Sequence, residues 1–178
     1  MRKTVELGFF LALALILAYV ESLIPFSFGI PGIKLGLPNL IVVLLLYQHH
    51  KEDNNWSHAG ADCRKAFGVN MLRIILAGFL FGNLYGILYA LAGALLSYGA
   101  MLFGRKAGCF SMIGVSVLGG VFHNIGQIVV AMFVVETVYV GYYMPFLIVA
   151  GTVTGAVLGL VAMELMPYLM RYEDRRAD

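Results

Sequence analysis

The stretch from Ala66 to Phe103 constrains the fold of this chain more than any other part of the sequence. Its only charged residue is Arg73. As a single helix it would measure about 57 Å at roughly 1.5 Å per residue, nearly twice the bilayer's hydrocarbon thickness of about 30 Å. The stretch must therefore turn back on itself, and Gly82-Asn83 near its centre predicts a tight hairpin between two membrane helices.

The rest of the chain also consists of apolar segments bounded by charges. Hydrophobic residues make up 61% of the sequence and charged residues 12%, whereas soluble domains average about 45–50% and about 25%. This composition predicts an all-α integral membrane protein with a single transmembrane domain over residues 1–178. The predicted transmembrane helices are six, at about 5–24, 35–48, 66–82, 84–103, 110–135 and 141–166, with an outer loop at 25–34 and a cytoplasmic loop at 49–65.

The basic residues support this helix count and predict the orientation. With six helices, all 12 Lys and Arg residues fall on one face except Lys34, on the opposite face, and Arg73, inside a helix. Cytoplasmic loops of membrane proteins carry the excess of Lys and Arg. We therefore expect both termini in the cytoplasm, in a multi-pass protein of the plasma membrane, the inner membrane of a bacterium. Cys63 and Cys109 then lie on the reducing side, so no disulfide is expected.

Polar side chains inside membrane helices are costly to retain, and each is therefore a candidate functional residue. The residues predicted to bind substrate are Glu21, Lys34, Asn39, Arg73, His123, Asn124 and Gln127. His123 and Gln127 are four residues apart, so they share one helix face. The sequence thus predicts an outward-facing pocket between helices 1, 2 and 5.

Structural explanations for the same residues remain open. Glu21 and Lys34 can form an ion pair at the membrane interface. His123 and its polar neighbours on helix 5 can hydrogen-bond to neighbouring helices without binding anything. Arg73 can either extend to the cytoplasmic surface or neutralise an anionic substrate.

The segment from Pro25 to Asn39 contains three prolines and three glycines, so it is not regular helix throughout. It is nevertheless strongly apolar. Irregular apolar backbone at a membrane surface indicates a loop whose peptide groups are satisfied by protein rather than by lipid. We predict that this outer loop acts as a lid over the pocket.

Small residues recur every four positions in three of the predicted helices. The stripes are Gly78, Gly82 and Gly86; Gly151, Gly155 and Gly159; and Ala14, Ala18 and Ser22. Such stripes let two helices approach closely in lipid, and the glycine stripes are predicted to pack within the chain. Ala14 and Ala18 lie on the peripheral first helix, where they are predicted to bind a partner protein, with internal packing as the alternative.

The sequence contains no familiar motif for a metal or cofactor. Three His and one Cys between His49 and Cys63 match no common zinc spacing. A Gly-x-x-x-x-Gly-Lys-Ser/Thr phosphate loop is missing, so ATP hydrolysis of that type would need another protein. We expect no metal and no cofactor, and the scattered charge gives no indication of nucleic-acid binding.

Four sequence blocks carry a family resemblance over most of the chain. They are Glu21–Pro25, Pro31–Asn39, Leu91–Ser97 and Ser116–Gln127. In this order they resemble the Gx transporter family, which also carries the label heptaprenyl diphosphate synthase component I. The blocks at 31–39 and 116–127 contain five of the seven predicted site residues, namely Lys34, Asn39, His123, Asn124 and Gln127. The resemblance therefore covers most of the predicted pocket.

The resemblance implies a function. The family is similar to the substrate-binding S components of energy-coupling-factor transporters, which have about six helices, a first outer loop acting as a lid, and an Ala-x-x-x-Ala stripe for docking. Ala14 and Ala18 fit that stripe, and residues 25–34 fit the lid. The resemblance therefore implies a subunit that binds a small solute and works with ABC-type ATPases and a membrane coupling protein.

The second family label implies an alternative. The chain could be a non-catalytic membrane subunit in polyprenyl diphosphate or quinone metabolism or in flavin-linked electron transfer. Prenyl diphosphate synthases use aspartate-rich motifs that hold Mg²⁺. No Asp-Asp-x-x-Asp occurs in the sequence, so we do not expect the chain to be an enzyme.

Overall fold

The computed structural model describes residues 2–23, 36–48 and 56–177, and the side chains at 4–23, 36–48 and 62–172. This part of the chain is helical and contains no strand. The helices are α1 (Arg2–Leu23), α2 (Asn39–Tyr47), α3 (Trp56–Phe81), α4 (Leu84–Ala107), α5 (Met112–Val134) and α6 (Met144–Ala177), with a 3₁₀ helix at Val138–Tyr143 before α6. The predicted all-α membrane fold is confirmed in this coarse form.

Four helical stretches in the described residues are long and apolar enough to cross a bilayer. They are Thr4–Leu23, Leu84–Ala107, Met112–Val134 and Val138–Tyr172. Helix α2 has 9 residues and is only about 14 Å long, less than half the hydrocarbon thickness. Helix α3 has 26 residues, but its first turns are polar and Arg73 interrupts its apolar part. Six crossings and cytoplasmic termini therefore stay predictions.

The predicted hairpin at Gly82-Asn83 is confirmed. Helix α3 ends at Phe81 and α4 begins at Leu84. Asn83 has an extended backbone, and its side-chain oxygen accepts a hydrogen bond of 2.7 Å from the backbone N–H of Gly86. Asparagine favours this position because it satisfies an N–H that the first turn of a helix leaves without an acceptor.

Substituting this cap tests how far the hairpin depends on it. We expect Asn83→Ala to lower the free energy of unfolding by about 1 kcal/mol, because the N–H of Gly86 loses its acceptor. Asn83→Asp keeps an acceptor oxygen and should stay close to the unsubstituted protein. Thermal unfolding in detergent measures both, and an equal loss in the two variants would contradict the capping role.

Helix α3 begins earlier than the sequence indicated. The predicted bounds were 66–82, with a loop at 49–65, whereas residues 56–65 are helical; residues 49–55 lie outside the described part. The early turns are held by polar contacts: Lys65 Nζ lies 3.7 Å from Asp62 and 3.8 Å from Glu6. Gln48 donates a hydrogen bond of 2.7 Å to Glu6. Hydropathy finds only the apolar part of a helix that begins with polar turns.

These contacts bring the starts of α1 and α3 to the end of α2. The end of α4 lies there too, because the Arg105 guanidinium stands 5.3 Å from the centre of the Tyr47 ring. We call this the basic end of the bundle, defined by Lys65 and Arg105. Tyr19 and Phe81 lie at the opposite end, where their ring centres are 5.1 Å apart.

Helix α2 forms the centre of the largest apolar cluster. All of its residues from Asn39 to Tyr47 are buried, and it contacts α1, α3, α5 and α6. A short helix of Leu, Ile and Val has no polar face to expose, so it is stable where other helices surround it. Because α2 lies at the centre, its first turn is also inside the bundle and not at the surface.

Helices α5 and α6 cross with their backbones in contact through glycine. A Cβ added to Gly151 would lie 2.6 Å from the carbonyl oxygen of Gly120, and one added to Gly155 would lie 2.7 Å from that of Ser116. Gly159 similarly faces the backbone of Ile113 at 2.8 Å. The predicted packing of this glycine stripe within the chain is therefore confirmed.

The alanine stripe of α1 also packs within the chain. Ala14 and Ala18 are 2% and 3% exposed. Ala14 belongs to the apolar cluster around α2, and Ala18 faces α3. Their burial matches packing within the chain, the alternative that the sequence left open, and partner binding by this stripe stays a prediction. The exposed residues of α1 lie on its other faces. Those exposed residues include Phe9, Ile16, Val20 and Leu23.

Candidate functional site

Polar side chains from three helices meet at one cavity toward the end opposite the basic end. Glu21 comes from α1, Arg73 from α3, and His123 and Gln127 from α5. The remaining lining residues are small or apolar: Ala18, Ile74, Ala77, Gly78, Gly82, Gly86 and Ala90. All four polar residues are buried, at 6%, 6%, 3% and 0% exposure. Residues widely separated in the sequence therefore form one enclosed polar cluster.

The cavity is small in this state. Its volume is about 20 Å³, which is enough for one water molecule because a water needs roughly 10–15 Å³ on this measure. A solute of vitamin size, which needs several hundred Å³, does not fit without movement of the surrounding helices or side chains. The structure therefore corresponds to a closed form of the cavity.

Glu21 is held by the start of α2. Its carboxylate oxygen Oε1 accepts hydrogen bonds from the backbone N–H of Gly36 and from that of Leu37, the latter at 3.2 Å. These residues precede α2 in a turn closed by a 2.9 Å bond from the N–H of Asn39 to the carbonyl of Gly36. A carboxylate stabilises a helix N-terminus because it satisfies free N–H groups and lies at the positive end of the helix dipole.

Arg73 points into the bundle rather than toward the surface. Its Nη2 donates a hydrogen bond of 2.6 Å to Oδ1 of Asn70 on the same helix, and its charge interacts with that of Glu21. Its Nε has no hydrogen-bond partner among the described residues. Of the two roles open from the sequence, the buried orientation matches charge neutralisation inside the protein and not extension to the cytoplasmic surface.

His123 and Gln127 contact each other on the inner face of α5. Nε2 of Gln127 lies 3.1 Å from Nε2 of His123, as their spacing of four residues predicts. Gly93 on α4 makes room for the imidazole, because an added Cβ there would lie 2.9 Å from its Nδ1. Gly36 lies against the other side of the ring, where an added Cβ would be 3.1 Å from Cδ2.

Two of the predicted site residues lie outside this cluster, and a third is not among the described residues. Asn124 faces α6 and donates a hydrogen bond of 2.8 Å to the carbonyl of Leu147, so it joins two helices. Asn39 is 4% exposed at the start of α2, next to the cluster but not in the cavity wall. Lys34 and the predicted lid at 25–34 lie outside the described residues.

Sequence reasoning missed two residues that shape the cluster. Asn70 accepts the hydrogen bond from Arg73, and its position three residues before the arginine on the same helix was the available signal. Gly36 has a φ of +84°, a conformation that a residue with a side chain rarely adopts. Its place between Leu35 and Leu37-Pro38 indicated a turn, but not its contact with His123.

The cluster can recognise a small polar molecule. It combines a carboxylate, a guanidinium, an imidazole and an amide inside an apolar bundle, where each hydrogen bond and charge interaction is stronger than in water. Polar groups that converge in an enclosed, otherwise apolar cavity are typical of ligand sites. None of the four groups occupies the surface of the isolated chain, so access requires an opening.

The helices and this cluster define a multi-pass α-helical membrane protein with an enclosed polar site. Within that class, the chain belongs to the family described as heptaprenyl diphosphate synthase component I, whose model matches residues 10–165. The family predicted from the sequence blocks is therefore confirmed, and the match includes all four polar residues of the cavity. Searches of curated proteins and of solved structures found no match.

The family and the helical architecture together fit a membrane accessory subunit. The family description names a component, which suggests one subunit of a multi-component complex. Similarity to S components of energy-coupling-factor transporters stays a prediction from the sequence.

Proposed function

We propose that the protein is the solute-binding membrane subunit of a small-molecule transporter, and that the cavity between α1, α3 and α5 is its binding site. One observation carries the proposal: Glu21, Arg73, His123 and Gln127 converge from three helices on one cavity, and all four are buried. Ionisable groups inside a membrane bundle are expensive, and they commonly mark a substrate or ion pathway.

Structural needs alone account poorly for this arrangement. The charges of Glu21 and Arg73 interact inside the bundle. Buried charges of opposite sign are often no more stabilising than apolar residues of similar size, so folding does not require these two residues. The Nε of Arg73 lacks a hydrogen-bond partner within the described chain, and an unsatisfied buried donor costs about 1–3 kcal/mol. A bound solute with an acceptor group would offset that cost.

Transport would require partners. The sequence has no phosphate loop, so energy would come from separate ABC-type ATPases through a membrane coupling subunit, with the bilayer of a bacterial plasma membrane around them. Because Ala14 and Ala18 are buried, a coupling subunit would contact the exposed face of α1 that contains Phe9 and Ile16. The closed cavity would correspond to the state before the solute enters or after it leaves.

The family description favours a second candidate. A component of heptaprenyl diphosphate synthase could hold a prenyl diphosphate or a quinone for a separate catalytic subunit, and the chain itself lacks the aspartate-rich motif for catalysis. Arg73 would then face an anionic head group. A prenyl lipid that co-purifies with the protein would support this candidate, whereas a polar, vitamin-like molecule would support transport.

Ligand retention tests the cavity directly. We expect His123→Leu and Gln127→Leu to reduce the amount of co-purifying small molecule at least about tenfold, because each removes a buried hydrogen-bonding group worth roughly 1.5 kcal/mol or more. Mass spectrometry of the gently extracted protein measures the retained molecule. Circular dichroism checks that the helix content is unchanged.

Thr152→Val is the matched control. Thr152 is an exposed polar residue of α6 whose hydroxyl bonds to the carbonyl of Ile148 in its own helix. This variant should retain the ligand fully. Full retention in His123→Leu and Gln127→Leu as well would refute the assignment of the cavity.

A further inference from the structure

We propose that the solute carries a carboxylate group, and that this group takes the place of the Glu21 carboxylate at the start of α2. The inference rests on the proposed function, because it assigns a chemical class to the ligand of the same cavity. In the absence of solute, the carboxylate of Glu21 would occupy this anion site.

The first support is the depth at which α2 begins. Gly36 contacts the ring of His123, and His123 lies at the middle of α5, which runs from Met112 to Val134. The N–H groups of Gly36 and Leu37, which bind Glu21, and the positive dipole end of α2 are therefore buried near the centre of the bundle instead of at its surface. A discontinuous membrane helix that begins at such depth is suited to binding an anionic substrate group.

The second support is Arg73. Arg73 is only 6% exposed and lines the cavity. Its Nε has no hydrogen-bond partner among the described residues. A guanidinium with a free N–H matches a carboxylate, which accepts hydrogen bonds from two donors at once. A neutral solute in the place of the Glu21 carboxylate would leave the positive charge of Arg73 uncompensated.

The third support is the group that occupies the site now. The N–H groups of Gly36 and Leu37 already bind a carboxylate, that of Glu21. A solute carboxylate would therefore make the same hydrogen bonds in the same place, so the exchange has little net cost at the helix end. The cavity of about 20 Å³ has no room for a second carboxylate, and two like charges there would repel.

The occupancy by Glu21 thus predicts competition. When a solute carboxylate binds, the side chain of Glu21 must leave the start of α2, and its departure vacates the space that the solute carboxylate takes. The positive end of the helix and Arg73 stay compensated throughout, because one carboxylate replaces another. Removing the Glu21 carboxylate should open the anion site to any small carboxylate in solution.

Chemical rescue with acetate tests this. The purified full-length Glu21→Ala protein in detergent is heated in acetate and in chloride at equal ionic strength. We expect acetate at about ten times its dissociation constant to raise the Tm by roughly 3–6 °C. Phosphate at the same ionic strength should have a smaller effect, and the unsubstituted protein should respond weakly because Glu21 competes.

The double variant Glu21→Ala/Arg73→Gln shows whether the effect arises at this site, since it should lose the response. No acetate effect on Glu21→Ala, an equal effect on the double variant, or stabilisation by phosphate alone would each overturn the inference. If Glu21→Ala does not yield folded protein, Glu21→Gln replaces it, because its neutral amide keeps an acceptor for Gly36 and competes less than a carboxylate.

Acetate rescue and ligand retention can fail independently, so the two experiments distinguish the carboxylate inference from the proposed function. A lack of acetate rescue together with ligand loss in His123→Leu would leave the cavity as a binding site for a solute without a carboxylate. Acetate rescue with unchanged ligand retention in His123→Leu would overturn the cavity as the solute site, and the inference with it.

Discussion

Gly151→Leu is expected to lower the free energy of unfolding by about 3 kcal/mol, because the new side chain has no space at the crossing of α5 and α6. The added Cβ alone would lie 2.6 Å from the carbonyl oxygen of Gly120 and 3.0 Å from Nδ2 of Asn124. Neither neighbour can yield easily, since one is backbone and the other bonds to Leu147. Equilibrium unfolding in mixed detergent micelles measures the loss.

The effect should be large because helix association in lipid depends on close contact. Lipid tails are as apolar as leucine, so packing and hydrogen bonds, not the hydrophobic effect, keep the helices together. Separating α5 from α6 would also break the bond from Asn124 to Leu147. Two stabilising features are thus lost in one substitution.

Gly99→Leu is the matched control for this variant. Gly99 also lies within a helix, but an added Cβ there meets nothing within 4 Å. The same substitution should leave the free energy of unfolding within about 0.5 kcal/mol, as for other surface positions. Similar losses in both variants would show that leucine is disfavoured generally and that the crossing is not the cause.

Glu21→Leu is expected to destabilise the fold by at least about 2 kcal/mol, since a buried donor left without an acceptor costs roughly 1–3 kcal/mol. It takes the acceptor from the N–H groups of Gly36 and Leu37. It also removes the negative charge that compensates the buried Arg73. The start of α2 and the cavity wall should therefore loosen together, which hydrogen exchange at residues 36–41 would detect.

Two variants separate the charge of Glu21 from its hydrogen bonds. Glu21→Gln keeps an acceptor for the two N–H groups but loses the charge, so it should be less destabilised than Glu21→Leu. Glu164→Leu removes an exposed carboxylate of α6 and should change stability by no more than about 0.5 kcal/mol. If Glu21→Leu behaved like Glu164→Leu, the hydrogen bonds and the charge of Glu21 would have no role in folding.

Both expected effects have the same structural origin. The crossing of α5 and α6 positions α5, and α5 presents His123 to the turn at Gly36, whose N–H groups bind Glu21. The polar cluster therefore depends on the short helix α2 being held at the centre of the bundle. Stability and binding should change together in variants of α2, and separately in variants of the cavity wall.

The sequence predicted most of the helices because their signals are local. Apolar length, charged ends and the Gly82-Asn83 turn depend on residues close together in the chain, and the observed bounds of α4 and α5 differ from prediction by four residues or fewer. The start of α3 was predicted ten residues late, because its first turns are polar and carry no apolar signal, while their backbone hydrogen bonds continue the helix. Local hydropathy therefore locates membrane segments better than helix ends.

Four members of the site were also predictable from the sequence. Glu21, Arg73, His123 and Gln127 stood out because charged and amide groups are rare in apolar helices. Their separate predictions did not show that they meet, since Glu21 and His123 belong to helices far apart in the chain. Asn124 carried the same signal as its neighbours, yet the rotation of α5 turns it toward α6.

The sequence by itself determined the membrane class, the hairpin and the candidate polar residues, because these follow from the cost of placing charge in lipid and from the length of apolar stretches. Only the tertiary structure decided that Ala14 and Ala18 face inward, that α2 lies buried at the centre, and that its first turn holds Glu21. Those features depend on which helix faces are covered by which neighbours. That choice is made by packing between residues distant in the chain, which no single segment of the sequence encodes.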